Sequence, residues 1–209
     1  MVGAHHELEG LHVVEIENVE STASLVGSMI DGGCERLAML CGPEGRVDAE
    51  HRSEGFRLAH VQRGRVADPA RIFPCNFRRD DAFAIADEVL NTKPDGIFAA
   101  NDEMARGILE RAEQRGMRVP DDFMLAGFDG TDDASITSQD LATVRTPWDA
   151  IAGMAVETLL GLINGMDMPL ERLVDPLVSV GVTVTPLSAP KVPAGFESPF
   201  SRAAREGPA

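Results

Sequence analysis

The chain has 209 residues, 44% hydrophobic and 25% charged, the balance of an ordinary globular protein long enough for one large core or two small ones. Its 19 Lys+Arg stand against 34 Asp+Glu, a net charge of −15, and the arginines are scattered, so the chain lacks the basic footprint that displaces counterions from nucleic acid. No apolar run approaches the roughly 18 residues of a membrane-spanning helix, and the first residues lack a basic-then-apolar leader, so a cytoplasmic place without a membrane partner is expected.

In chain order, residues 11–16 read as a strand. Residues 21–30 read as a helix with Leu25, Val26, Met29 and Ile30 on one face, stopped by Gly32-Gly33. Residues 36–41 form a short apolar strand closed by Gly42-Pro43; 49–62 read as a helix and 71–75 as a strand. Residues 80–90 carry Phe83, Ile85, Ala86, Val89 and Leu90 at helical spacing, and Lys93-Pro94-Asp95-Gly96 is turn chemistry. A buried strand at 97–100 leads to Asn101, placed as N-cap of a helix over 102–115 that Gly116 ends. Strands follow at 123–128 and 142–145. Thr146-Pro147-Trp148-Asp149 then opens a helix with Pro at its first position and an acid in its first turn, closed by Gly165. Residues 177–185 are a last β-branched run. From Leu187 onward Pro, Ser, Ala and Gly dominate, so 187–209 are expected to be a disordered tail. Alternation of strand and helix implies an α/β fold, a mostly parallel sheet flanked by helices.

Ligands of open α/β sheets collect beyond the carboxyl ends of the strands. Asn101 and Asp129 each sit just past an apolar strand-like run, an arrangement suited to a polar small molecule. Each has a plainer reading, Asn101 as a helix cap and Asp129 as part of the turn Gly127-Phe128-Asp129-Gly130-Thr131; Arg52 reads locally as a surface helix charge and Phe77 as a satellite core contact. The common catalytic signatures for dinucleotide, phosphate, acyl and metalloprotease chemistry are missing from the sequence. Asp132 and Asp133 follow Asp129 closely, but no His or Cys stands in the sequence to complete a catalytic pair, so an enzyme is not expected. His5-His6-Glu7 is the one cluster resembling metal ligands, and in a polar terminus it reads as solvated; no metal and no cofactor are expected. Cys34, Cys41 and Cys75 are an odd set without a C-x-x-C pair and read as small buried hydrophobes.

Taken in order, several segments resemble the effector-binding domain of the lactose-repressor and galactose-repressor family of bacterial transcription regulators. The most specific is Pro94-Asp95-Gly96-Ile97-Phe98-Ala99-Ala100-Asn101-Asp102-Glu103-Met104-Ala105, followed by Gly116-Met117-Arg118-Val119-Pro120-Asp121-Asp122 and Gly127-Phe128-Asp129. Gly42-Pro43, Arg52-Ser53-Glu54-Gly55-Phe56 and Thr143-Val144-Arg145-Thr146-Pro147 keep the family's order, and the likeness runs from about Leu11 to Pro186. The resemblance implies a periplasmic-binding-protein-like fold of type I, in which two α/β subdomains clasp a sugar or similar ligand. It implies a remnant of the first subdomain at 1–18 and 147–170, with most of that subdomain missing, and a nearly complete second subdomain at 19–146 and 171–186. It further implies ligand contacts from Arg52, Asn101 and Asp129, a stacking ring at Phe77 and a second apolar wall at Trp148. A homodimer is implied for the full-length protein, with DNA contacted through a helix-turn-helix headpiece that this chain lacks.

Two departures stand out. Thr146 occupies a position where the family commonly has Gln, and Gln139-Asp140 replace a usual Pro-Pro pair. The other functional reading left open is a periplasmic sugar-binding protein of a transport system, which shares the fold. If the first subdomain is largely missing, Ile151, Met154, Ala155, Leu159, Leu162 and Ile163 on the helix after Trp148 are expected to be partly uncovered.

Overall fold

A computed structural model of the chain describes residues 10–131 and 141–184. His5-His6-Glu7, Asp132-Asp133, Gln139-Asp140 and the 187–209 tail, read from the sequence above, lie outside these residues. Strand β1 (Val13–Ile16) leads into helix α1 (Val19–Asp31), then β2 (Leu37–Cys41), α2 (Val47–Val61), β3 (Ile72–Pro74), α3 (Arg79–Asn91), β4 (Gly96–Ala99), α4 (Asp102–Gln114) and β5 (Met124–Ala126). After the 132–140 segment come β6 (Thr143–Arg145), α5 (Trp148–Ile163), β7 (Glu171–Val174) and β8 (Leu177–Ser179).

The main sheet is parallel, in the order β3-β2-β4-β5. It extends toward β6 through Gly127 N–H to Ala142 O at 2.8 Å and Asp129 N–H to Val144 O at 2.9 Å, and β6 pairs antiparallel with β8. Helix α1 packs on α2 and α3 on α4. Because β2 hands over leftward to β3 and the chain then crosses to β4, right-handed crossovers put α2 and α3 on opposite faces of the sheet. Both faces are therefore covered, which is why β2 and β4 are continuous apolar runs rather than alternating ones. Phe56, Phe98, Phe123, Phe128, Leu25, Met29 and Met104 are fully buried in this core.

Capping follows from side-chain reach. Asn101 Oδ1 accepts the Met104 N–H at 2.9 Å and starts α4. At α1 the acceptor is instead the Glu17 carboxylate, which takes the N–H groups of Val19, Glu20 and Ser21 at 2.9, 2.9 and 2.8 Å. Cys34 and Cys75 are buried and Cys41 is partly so; burial pushes the Cys34 thiol up to about 12, the behaviour of a packing group.

A second, smaller unit stands beside the main sheet. Strand β1 pairs in parallel with β7, and Val14, Val174 and Ile151 of α5 make a small core, with Met154 and Ala155 against it. Here the structure differs from the sequence reading in four ways. Residues 171–174, expected with the larger unit, are hydrogen-bonded to β1, because the sheet pairing carries the chain back across only after Val174. The described part of the 177–185 run, residues 177–184, is not one strand: β8 stops at Ser179, Val182–Val184 form a 3-10 turn, and the Thr183 hydroxyl accepts the Ala142 N–H at 2.8 Å in place of a ladder bond. Pro147 is the residue before α5 rather than its first helical one, and it makes no side-chain cap. Ile151, expected to be partly uncovered, is buried, whereas Leu159, Leu162 and Ile163 are exposed.

Candidate functional site

The carboxyl ends of β1, β2 and β4, the β5–β6 connection and the start of α5 surround one cleft of about 440 Å³. All five residues singled out from the sequence line it: Arg52, Phe77, Asn101, Asp129 and Trp148. The sheet explains the convergence, since the chain changes direction between β2 and β4 and leaves a crevice there.

Arg52 is the centre. Helix α2 buries it, and its guanidinium is held on three sides: Nε donates to Asn18 Oδ1 at 3.0 Å, Nη1 to Ala100 O at 2.6 Å, and Nη2 lies 3.2 Å from Asp129 Oδ1. Its Cζ sits 3.7 Å from the centroid of the Phe128 ring and 5.7 Å from that of Phe77. A planar, delocalised cation is suited to this combination of fork and stack. Burial draws the Arg52 pKa down, while the neighbouring Asp129 and Asp48 carboxylates oppose that.

Asp129 occupies a strained position, with φ of +104°. Its backbone is fixed on both sides, by Asp129 N–H to Val144 O and by Thr146 N–H to Asp129 O at 3.0 Å. Burial pushes its carboxyl up to about 6; the Arg52 charge pulls the other way, and Asp102 adds to the rise.

Asn101 both caps α4 and faces the cleft. With Oδ1 on Met104 N–H and Nδ2 donating to Phe77 O at 3.0 Å, it keeps one lone pair and one N–H for other use. The same bond holds Phe77 at φ +61°, and its ring lies over Gly42, where any Cβ would overlap it. Trp148 begins α5 at the rim of the cleft, mostly exposed.

Several cleft residues were missed in the sequence. Asn18 ends the β1 turn and holds both Arg52 and, through Nδ2, the Ile16 carbonyl at 3.0 Å. Arg46 and Asp48 follow Gly42-Pro43 at the end of β2 and pair at 2.9 Å. Burial pushes the Asp48 carboxyl up, but Arg46 and Arg52 together hold it below the usual range. Glu15 and Thr131 complete the polar lining. The strand-end rule that found Asn101 would have found Asn18, Arg46 and Asp48 as well. Thr146, where the family commonly has Gln, lines the cleft with its hydroxyl oxygen buried and unbonded. Among the described residues no cluster of His, Cys, Asp or Glu could hold a metal ion, and no helix is long and apolar enough to cross a membrane.

A family model described as a periplasmic binding protein-like domain matches residues 26–183. The chain belongs to that family. It has the form found in effector-binding domains of lactose-repressor and galactose-repressor regulators. It is 30% identical over 158 residues to the ribose operon repressor of Halalkalibacterium halodurans, a match covering 75% of this chain and 47% of that protein. It is 32% identical over 152 residues to the HTH-type transcriptional repressor PurR of Vibrio parahaemolyticus, covering 71% of this chain and 46% of that protein. The chain thus spans about half the length of the curated relatives it matches. Among solved structures, a complex of the transcriptional regulator CelR with cellobiose superposes with a TM-score of 0.80 at 24% identity, covering 87% of this chain and 57% of that one. That likeness establishes the fold: an α/β periplasmic-binding-protein-like domain with a parallel sheet flanked by helices.

Proposed function

We propose that this periplasmic-binding-protein-like domain senses a sugar or similar polar small molecule as part of a lactose-repressor/galactose-repressor type transcription regulator, and is not an enzyme. The observation that carries the reading is the Arg52–Asp129 pair, 3.2 Å apart at the floor of a cleft with Asn101 beside it and aromatic walls at Phe77 and Trp148. A hydroxyl-rich ligand is matched by such a set. Asp129 accepts from paired hydroxyls, Arg52 donates from a fork, and Asn101 does both. Aromatic rings cover the apolar faces of a sugar ring. The pair already satisfies itself in the structure described here, so a ligand gains by sharing it rather than by neutralising an isolated charge. The relatives' names support regulation, and two of them mention ribose and cellobiose.

In this reading the larger unit is one lobe of a two-lobed clasp, and β1, β7 and α5 belong to the other. DNA is contacted through a helix-turn-helix headpiece outside this chain, the regulator acts in the cytoplasm as a homodimer, and no cofactor takes part. Transport is the second reading of the same fold, but the curated relatives named above are repressors, which favours regulation.

The reading is tested by titrating the chain with neutral sugars, starting with D-ribose and cellobiose, and following backbone amide resonances. Saturable shifts centred on Phe77, Asn101 and Asp129 are expected for at least one sugar. Saturable shifts confined to other surfaces would refute it.

A further inference from the structure

The Asp129 loop is held from below by a carboxylate that does not line the cleft. Asp102, the first residue of α4, is 3% exposed. Its Oδ1 accepts the Thr143 hydroxyl at 2.7 Å, and its Oδ2 accepts the Thr131 N–H at 2.8 Å and the Thr131 hydroxyl at 3.3 Å. The Thr143 oxygen in turn accepts the Gly130 N–H at 3.3 Å. The Asp102 N–H donates to Phe128 O at 2.7 Å. One residue therefore grips the chain on both sides of Asp129, at 128 before it and at 130–131 after it. Gly127 completes the arrangement, because a Cβ there would overlap Asp102 Oδ1.

We propose that Asp102 is a positioning residue for the ligand site, a buried carboxylate that ties the 127–131 segment to β6 and α4 and so presents Asp129 to Arg52 in its left-handed backbone conformation. The proposal rests on the reading of Asp129 as a ligand contact. The physical case is one of cost. A non-glycine residue at φ +104° is strained, and such strain persists where surrounding bonds over-determine it. Four hydrogen bonds to one buried residue, two of them to backbone N–H and C=O groups, supply that determination. Asp102 is also electrostatically coupled to the contact it positions: its charge adds to the rise of the Asp129 carboxyl, and burial raises its own. Among the described residues, the other charged groups around Asp129 are Arg52 and Asp48 from α2, Arg46 just before α2, Glu15 from β1 and Arg145 on β6, which is bridged to it through the backbone.

The test needs no ligand, so its failure is separate from a failure of sugar binding. The chain, labelled with 13C at Asp carboxyls, is titrated by NMR as parent and as Asp102→Asn. The variant keeps the volume of Asp102 but removes its charge and turns one acceptor into a donor facing the Thr131 N–H. The Asp129 midpoint, about 6 in the parent, is expected to fall toward the ordinary carboxylate range, and amide exchange at Thr131 and Gly130 to accelerate. An unchanged midpoint with unchanged exchange would overturn the proposal. Should Asp102→Asn not fold, Thr143→Val removes the shared hydroxyl while leaving the Asp102 charge. The Gly130 N–H loses its own acceptor in that variant, so the readout is the Thr131 N–H, which is bonded to Asp102: faster exchange there supports the proposal, and parent-like exchange contradicts it.

Discussion

The two units of this molecule are built from the same kinds of element and differ in how fully each is covered. The main sheet has helices on both faces, and β2 and β4 carry almost wholly buried side chains. The β1–β7 pair is covered by α5 on one side around a core of Val14, Val174 and Ile151. Beyond that core α5 is apolar but bare: Val156, Leu159, Leu160 and Ile163 are all more than half exposed, and so are Leu173 and Leu177 nearby. A helix's hydrophobicity does not by itself place its core. Alpha-5 is far more apolar than α4, yet α4 buries the firmer face because the sheet beneath it is complete.

Truncations in the two units should differ in their cost. Phe98→Ala, in the middle of β4, is expected to cost about 3–5 kcal/mol and to unfold the whole chain, as read by denaturant melts. Ile151→Ala should cost less, about 2 kcal/mol, because its neighbours Met154 and Ala155 are only partly buried and can close in. Its loss should appear in hydrogen exchange at β1 and β7 while β2 and β4 stay protected. If Ile151→Ala melts the main sheet equally, the two units are one cooperative core. Ile163→Ser, on the bare face, should change stability by less than about 0.5 kcal/mol and reduce self-association in sedimentation.

The folded Asp129 carboxyl titrates at about 6, above the ordinary value near 3.9, so between those values the folded state holds a proton that the unfolded chain has released. Stability from this group therefore declines as pH rises from about 4 to 6. Relative to the parent, Asp129→Asn should flatten that window in chemical melts, and an identical slope in both proteins would refute the raised value.

Much of the site was legible because strand ends are legible. Ile97 to Ala100 and Met124 to Ala126 are short apolar runs, so the polar residues that follow, Asn101 and Asp129, mark the sheet edge without any coordinates. Arg52 and Phe77 needed the family resemblance, since locally they are a helix charge and a stray aromatic. What could not be read was pairing between distant segments. Glu171 to Val174 has one buried residue in four, too weak an alternation to announce β7, and its partner β1 lies more than 150 residues earlier. By position Asp102 is one more acid in a helix's first turn; its role comes from Thr131 and Thr143, which the fold alone brings within reach.

If the Arg52–Asp129 pair holds a hydroxyl-rich ligand, Asp129→Ala weakens its binding. With whichever neutral sugar saturates the parent chain, dissociation constants are measured for both proteins by NMR titration or calorimetry. Loss of a charge-assisted hydrogen bond should weaken binding by about 1.5–3 kcal/mol, roughly 10- to 150-fold, with Phe98 and the rest of the main core unshifted. Equal affinity in Asp129→Ala and parent would show that the ligand does not use this pair.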